Sequence, residues 1–415
     1  MNRRSMPRRT LLCVASALAA VGLLPACGGG AGGGSLASAT SVAKTRVVID
    51  PSTPGDLERL CEETNATILG AIEGTDYMLV EIPKGKKIEE FLKDLEADPR
   101  VEDAQPDDDV KFPEGDGTTI PAFVDEDLSG VRAQAAVERI GAHVAQRRGR
   151  LGAGAVVAVI DTGIDPTHPA VAGRLWPLGY DFIDMDDDPT DVGDGRDHDR
   201  DGLVDEGVGH GTFVASLILA VAPDAQIMVV RALDSDAVGT AAGLARAIAW
   251  AAQNGATVIN FSGGLTRELR LVGQAIASVE ARNVGVVAAA GNRGDGVDFP
   301  AALPRVFAVT SIGLDDVRSP FAGAGELVDL CAPGEDLLGA HPRSPTGYAR
   351  WSGTSFATAL VSGGVAVMLG AERVPYGPVV ARLMATAVPV DAVNPGDEGR
   401  LGAGRVNLDA ATAPD

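Results

Sequence analysis

The chain has 415 residues, 45% apolar and 22% charged, enough to bury one large core and a smaller one and too apolar for a disordered chain. Fifty-seven acidic residues against 35 basic ones give a formal net charge of −22. That excludes the basic patches nucleic-acid binding needs and leaves solubility as the plain meaning of the charge.

In chain order, Met1 to Thr10 carries four arginines and no acid, and Leu11 to Ala26 is apolar. A basic start and a short apolar run form the layout of an export signal over residues 1–27, too short to span a membrane comfortably. Leu24 poorly suits an ordinary signal peptidase, which wants small residues. Leu24-Pro25-Ala26-Cys27 instead resembles the lipobox of bacterial lipoproteins, which implies lipidation at Cys27 and contact with a membrane only through that anchor; simple secretion is the alternative. Arg8-Arg9-Thr10-Leu11-Leu12 leaves a twin-arginine export route open. Residues 28–44 are rich in Gly, Ala and Ser and read as a flexible tether.

Residues 45–111 carry a compact pattern of their own. A strand-like stretch at 46–49 precedes a helix with Leu57, Leu60 and Cys61 on one face. Two strand-like runs follow at 67–72 and 77–82. Ile88, Phe91, Leu92 and Leu95 then fall at i, i+3, i+4 and i+7, which predicts an amphipathic helix. The expectation is a small α+β domain of βαββαβ order. Residues 112–130, rich in Gly, Pro and acids, read as a linker.

From residue 131 to 415, strand-like and helical runs alternate: 155–160, 212–220, 227–232, 241–253, 257–261, 269–281, 284–290 and 306–310. Such alternation predicts an α/β fold, a mostly parallel sheet with helices on both faces. Three segments inside it carry chemistry. AVVAVIDTGID surrounds Asp161, at the carboxyl end of a strand that reads as buried on both faces, where open α/β sheets bind ligands. GHGTFVAS surrounds His210 at a predicted helix start, and SGTSFATALVSGG surrounds Ser355 at another. Singly, these residues read as well as a turn aspartate, a loop histidine and a helix-capping serine. Together they are what nucleophilic acyl transfer requires. A serine hydroxyl needs a base to take its proton, a histidine serves near neutral pH, and a buried carboxylate steadies the imidazolium.

The order Asp, His, Ser in these flanking sequences resembles the subtilases, the subtilisin-like serine proteases. The resemblance implies a subtilisin-like fold and an exported serine endopeptidase acting on polypeptides, with Asp161 orienting His210, His210 as general base and Ser355 as nucleophile. It adds Asn292, in the AAGN segment, as an oxyanion donor beside the Ser355 N–H. It also implies that Ser262, Gly263 and Gly264 pair with substrate as an added strand, with Ala289, Ala290 and Gly291 as the opposite wall of an open, apolar pocket. Residues 45–111 resemble the family's inhibitor propeptide, a ferredoxin-like domain that blocks the cleft of its own enzyme, which makes the chain a self-processing zymogen cut within the linker. Two departures stand out: Phe213 replaces a histidine common after His210, and Ala359-Leu360 replaces Pro-His after Ser355. Both read as packing changes. An inactive calcium-binding surface lipoprotein using the fold to bind peptides is the alternative, opposed by the retention of all four catalytic-type residues.

Between Asp161 and His210 lies an acidic insertion. Asp197, Asp199 and Asp201 alternate and Gly202 stands sixth, which resembles the start of a calcium loop. The twelfth position is Val208 rather than Glu, so Leu203 through its backbone, Asp205 and Glu206 are the remaining candidate ligands for a structural Ca2+. A solvated acidic loop is the plainer reading. Of the four cysteines, only Cys331 lies in the larger domain, so no internal disulfide is expected there.

Overall fold

The computed structural model describes residues 45–112, 114, 120–344, 346–370 and 374–414, which belong to one compact unit. Cys27, the export signal and most of the tether lie outside the described residues.

The N-terminal module has the expected βαββαβ order. Strands β1 (Arg46–Pro51), β2 (Thr67–Ala71), β3 (Met78–Glu81) and β4 (Val101–Pro106) form an antiparallel sheet of order β2-β3-β1-β4. Helices Pro54–Thr64 and Ile88–Glu96 supply Leu57, Leu60, Cys61, Phe91 and Leu95 to a core with Val47, Ile49 and Val80. Thr53 caps the first helix by accepting from the Asp56 N–H.

The larger domain is built on a seven-stranded sheet of β14 (Leu330–Pro333), β13 (Val306–Ile312), β12 (Gly285–Ala289), β11 (Val258–Phe261), β7 (Val156–Asp161), β9 (Gln226–Arg231) and β8 (Tyr180–Asp181), in that order and parallel throughout. Alternate β7 residues serve two cores. Val157 and Val159 pack with helices His210–Val221 and Thr354–Leu369, while Val156, Ala158 and Ile160 pack with helices Ala241–Gln253 and Arg270–Glu280. A strand covered on both faces must read as a continuous apolar run, which is why its sequence does. A smaller antiparallel sheet joins β15 (Leu337–Ala340), β16 (Tyr348–Trp351) and β6 (Ala122–Phe123). Among the described residues no helix is long and apolar enough to cross a membrane.

The module packs on the helix 241–253 side of the large sheet. Its Val48, Ile72, Tyr77 and Leu79 enter that core. Asp107 Oδ1 accepts from the Ala242 N–H at 2.8 Å and the Asp108 carbonyl from Ala241 at 2.8 Å, so the end of the module caps the 241–253 helix. Past this point the chain enters the cleft. β5 (Asp109–Lys111) pairs antiparallel with β10 (Val238–Thr240), and on its other side Lys111 exchanges two backbone hydrogen bonds with Gly264, at 3.1 and 2.6 Å.

Candidate active site

Asp161 ends β7, His210 opens helix 210–221, Ser355 lies in the first turn of helix 354–369, and Asn292 follows β12. These four side chains from separate elements share one buried site. Asp161 Oδ1 accepts from His210 Nδ1 at 2.8 Å and from the Thr162 N–H at 2.8 Å. Close approach of the helix to the β7 turn requires glycine at 211, where a Cβ would stand 2.1 Å from the Gly163 carbonyl oxygen. Asp191 Oδ2 ties the same corner together, accepting from Gly209 N–H at 2.7 Å and Thr162 Oγ1 at 3.0 Å. Burial raises its carboxyl to about 7.

Asn292 is aimed by its carbonyl. Oδ1 accepts from Thr354 N–H at 3.0 Å and Thr354 Oγ1 at 2.8 Å, which leaves Nδ2 as a donor facing Ser355. Ser355 Oγ lies 3.0 Å from the Ser262 carbonyl oxygen. Behind it, Asn260 donates to Ser262 Oγ at 3.1 Å and accepts from Ser362 Oγ at 2.8 Å, a buried polar brace between β11 and the serine helix.

Sequence reasoning missed the residue that fills the site. Glu114, 2% exposed, places Oε2 2.7 Å from Ser355 Oγ and 3.5 Å from His210 Nε2. Its Oε1 accepts from Asn292 Nδ2 at 3.0 Å and from the Ser355 N–H at 3.4 Å. The lack of a side chain at Gly353 admits it, since a Cβ there would stand 1.7 Å from Oε1. Two residues earlier, the Phe112 ring stacks on the His210 imidazole, centroids 4.4 Å apart. Burial disfavours charge on that imidazole, but Asp161 and Glu114 outweigh it and raise its pKa to about 10. No signal marks Glu114 in the sequence, where it is one acid among several in a linker.

Gly264 pairs with Lys111, while Ser262 touches Ser355 and Gly263 lies between them in the chain. Ala289 and Ala290 are buried, and Gly291 adopts φ 98°. A charged group lies against both segments. A Cβ on Gly291 or Gly264 would lie 2.3 or 3.1 Å from Asp298 Oδ2, and Asp298 forms an ion pair with Arg293.

In the acidic insertion, ligand oxygens of Asp197, Asp199 and Asp236 lie within 4.8 Å of one another, as do those of Asp199, Asp201 and Glu206. Asp236, from the β9–β10 connection, was not anticipated. Burial and then the charges of Asp236 and Asp201 raise Glu206 to about 8, and both its carboxylate oxygens lack a hydrogen-bond partner. Asp205 is in neither group, and its carboxylate accepts from the Asp194 and Gly195 N–H groups at 2.9 and 3.2 Å, closing a turn. Leu203 donates its N–H to Asp201 Oδ1 at 2.7 Å. Cys61 and Cys331 are buried free thiols. Phe213, the departure beside His210, is buried against Trp351 and Phe356 and serves packing.

The subtilase family profile matches residues 152–404, and the fervidolysin N-terminal prodomain profile matches residues 46–107. The thermophilic serine proteinase of Bacillus sp. (strain AK1) is 38% identical over 231 residues, 53% of each chain, so this chain spans about half of that relative's length. Thermitase of Thermoactinomyces vulgaris is 37% identical over 232 residues, 53% of this chain and 76% of that one. M-protease of Shouchella clausii (strain KSM-K16) is 30% identical over 393 residues, 91% of this chain and 94% of its own. In architecture the chain resembles fervidolysin of Fervidobacterium pennivorans, a keratinolytic enzyme related to subtilisin, with a TM-score of 0.73 at 21% identity over 89% of this chain and 61% of that one. A profile covering most of the chain and a relative aligned along nearly its whole length agree with the fold: the chain belongs to the subtilase family, with a fervidolysin-type prodomain ahead of the subtilase domain.

Proposed function

We propose that the protein is an exported serine endopeptidase made as a self-processing zymogen. Ser355 attacks the peptide carbonyl and His210 takes its proton, then gives it to the leaving amine. Asp161 orients and steadies the imidazolium, and Asn292 Nδ2 with the Ser355 N–H receives the oxyanion. One observation carries this reading. The Ser355 N–H, the Ser355 hydroxyl and Asn292 Nδ2 all converge on a single carboxylate, that of Glu114, so the donors an oxyanion needs are already assembled around a negative oxygen.

Residues 45–111 act as the inhibitor of the domain that begins near residue 131, and the stretch 112–130 holds the cut. The inhibitory tail extends into that linker, because Phe112 covers His210 and Glu114 covers Ser355. The candidate metal residues fit a structural calcium ion: five crowded carboxylates, of Asp197, Asp199, Asp201, Glu206 and Asp236, form a hard oxygen set of the kind calcium takes. Calcium bound there would neutralise the crowding and hold the loop that leads through Val208 and Gly209 to His210. Export rests on the basic and apolar layout of residues 1–27, and a lipid anchor on Cys27.

The test is the size of the chain purified from residue 28 onward in calcium, with and without Ser355→Ala. Loss of an N-terminal fragment by the wild type alone, with labelling by a fluorophosphonate probe, is the expected result. Two intact, unlabelled chains would overturn the reading.

A further inference from the structure

Past Glu114, the next described residues are built into the large domain. Ala122 and Phe123 form β6, the edge strand beside β16, with Ala122 opposite Arg350 and Phe123 opposite Ala349. The Val124 N–H donates to the Tyr348 carbonyl at 3.2 Å, and Thr346 Oγ1 donates to the Val124 carbonyl. The Phe123 ring lies 5.2 Å from the buried His341 imidazole. His341 packs on Trp351, whose indole meets the His210 ring edge-on at 5.5 Å. A strand that begins in the linker is thus joined through two rings to His210. Between β6 and the acidic insertion lies a cavity of about 240 Å³, lined by Ile120, Phe123, Leu203, Val204, His341 and Trp351 and reaching Glu114 at the serine. Ile120, Phe123, Leu203 and Val204 are 75, 50, 43 and 45% exposed, so its apolar wall stands open to water. The domain's two charged groups on that wall are engaged elsewhere. Glu206 belongs to the carboxylates given to calcium above, and Arg343 donates to the Asp205 carbonyl at 2.6 Å.

Resting on the protease reading above, we propose that β6 stays with the mature enzyme and, with the insertion, forms an apolar subsite. Its occupant is a large aliphatic or aromatic side chain that follows the cut bond of a polypeptide substrate. The direction comes from the chain itself. Lys111 pairs with Gly264, Phe112 covers His210, Glu114 lies on Ser355 and Ile120 lines the cavity, so a peptide running the same way meets the cavity after passing the serine. The self-cut is then hydrolysis of one peptide bond ahead of Ala122, water supplying the hydroxyl of the new carboxyl terminus and a proton of the new amine. It frees the tail and leaves the β6–β16 pairing whole. A substrate side chain that covers the exposed wall returns its water to bulk, which is the source of the preference.

Two measurements test this. The mature chain, released by the purified protein in calcium, is weighed by mass spectrometry. It should begin at or before Ala122, and a chain that begins later overturns the proposal. Its cutting of two quenched peptides is then compared, with each cut mapped by mass. The peptides are identical before the cut and carry leucine or the similarly sized asparagine at each of the first three positions after it. The leucine peptide should show a kcat/KM about five- to twentyfold higher, somewhat less than full burial of a leucine gives. In Phe123→Ala that ratio should fall severalfold toward one, and being a ratio it is independent of how much of the variant is folded. Should Phe123→Ala fail to mature, Val204→Ser on the opposite wall carries the same expectation. Equal rates for the two peptides in the mature wild type, or an unchanged ratio in the variant, would each overturn the proposal. Failure of the protease reading looks different: the chain stays whole, neither peptide is cut and no fluorophosphonate is incorporated.

Discussion

On the function proposed above, Glu114 silences the reacting atoms in three ways at once. It takes up the donors meant for the oxyanion, it offers Ser355 Oγ–H an acceptor other than His210, and it helps keep the imidazole protonated and so unable to act as a base. A neutral amide of the same shape keeps the fit but loses the charge. Hydrogen bonds to a charged group contribute about 1.5–3 kcal/mol, so Glu114→Gln should release its N-terminal fragment at least about tenfold faster than the wild type at neutral pH. The fragment appearing on a denaturing gel over time measures this. An unchanged or slower rate would mean that Glu114 is a bystander and that Phe112 and the β5 strand block the cleft by themselves.

At the scale of elements, the insertion between β7 and the His210 helix joins a metal question to a catalytic one. Calcium that binds the folded loop and not the unfolded chain stabilises by mass action, about 2.7 kcal/mol at a hundredfold excess over Kd. Chelation should then lower Tm by roughly 4–8 °C, and Asp236→Asn should reproduce most of that drop in saturating calcium. A calorimetric scan unaffected by chelator would remove the ion from the account. The sequence disclosed the two sides of this region unequally. Asp197, Asp199 and Asp201 were legible because alternation and a following glycine encode one local loop. Asp236 was not, because it arrives from the far side of β9, and only tertiary structure brings it near. The same divide runs through the fold. Helix 241–253 was read to the residue because Thr240 caps it and its apolar face is periodic. β7, β9, β11 and β12 were placed within about two residues, since strands buried on both faces are unbroken apolar runs. β5 is three residues long and exists only by pairing with β10, so nothing local announces it. Asp298 escaped for a related reason: its importance lies in the two glycines it rests against, not in its neighbours along the chain.

On the zymogen reading, the whole molecule is two folded parts held in one inhibited state, and protons favour that state. Asp107 is buried where the module caps helix 241–253, and desolvation raises its carboxyl from an ordinary 3.8 to about 6. His210, beneath Phe112 and beside Glu114, is raised from 6.5 to about 10 because Asp161 and Glu114 outweigh its burial. Asp107 therefore binds a proton more tightly with the module seated than with it withdrawn, and Glu114 adds an effect of the same sign at His210. By linkage, seating weakens as pH rises from about 4 to 6 through Asp107 and, by the share of the His210 shift that Glu114 supplies, as pH rises toward the His210 pKa of about 10. The two effects have the same sign, so the clamp should loosen steadily toward alkaline pH, and the active enzyme would be liberated there rather than in acid. Amide hydrogen exchange of residues 109–112 in the full-length Ser355→Ala chain reads this without interference from cutting. Protection factors there should fall from pH 4 to pH 10, and Glu114→Gln in the same background should flatten the alkaline part of that fall by lowering the His210 pKa of the seated state. Asp107→Asn should leave the alkaline limb intact and remove the acid one. Protection that stays level or rises with pH would show that seating takes up no protons, and would sever the link drawn here between the charge at the serine and the release of the prodomain.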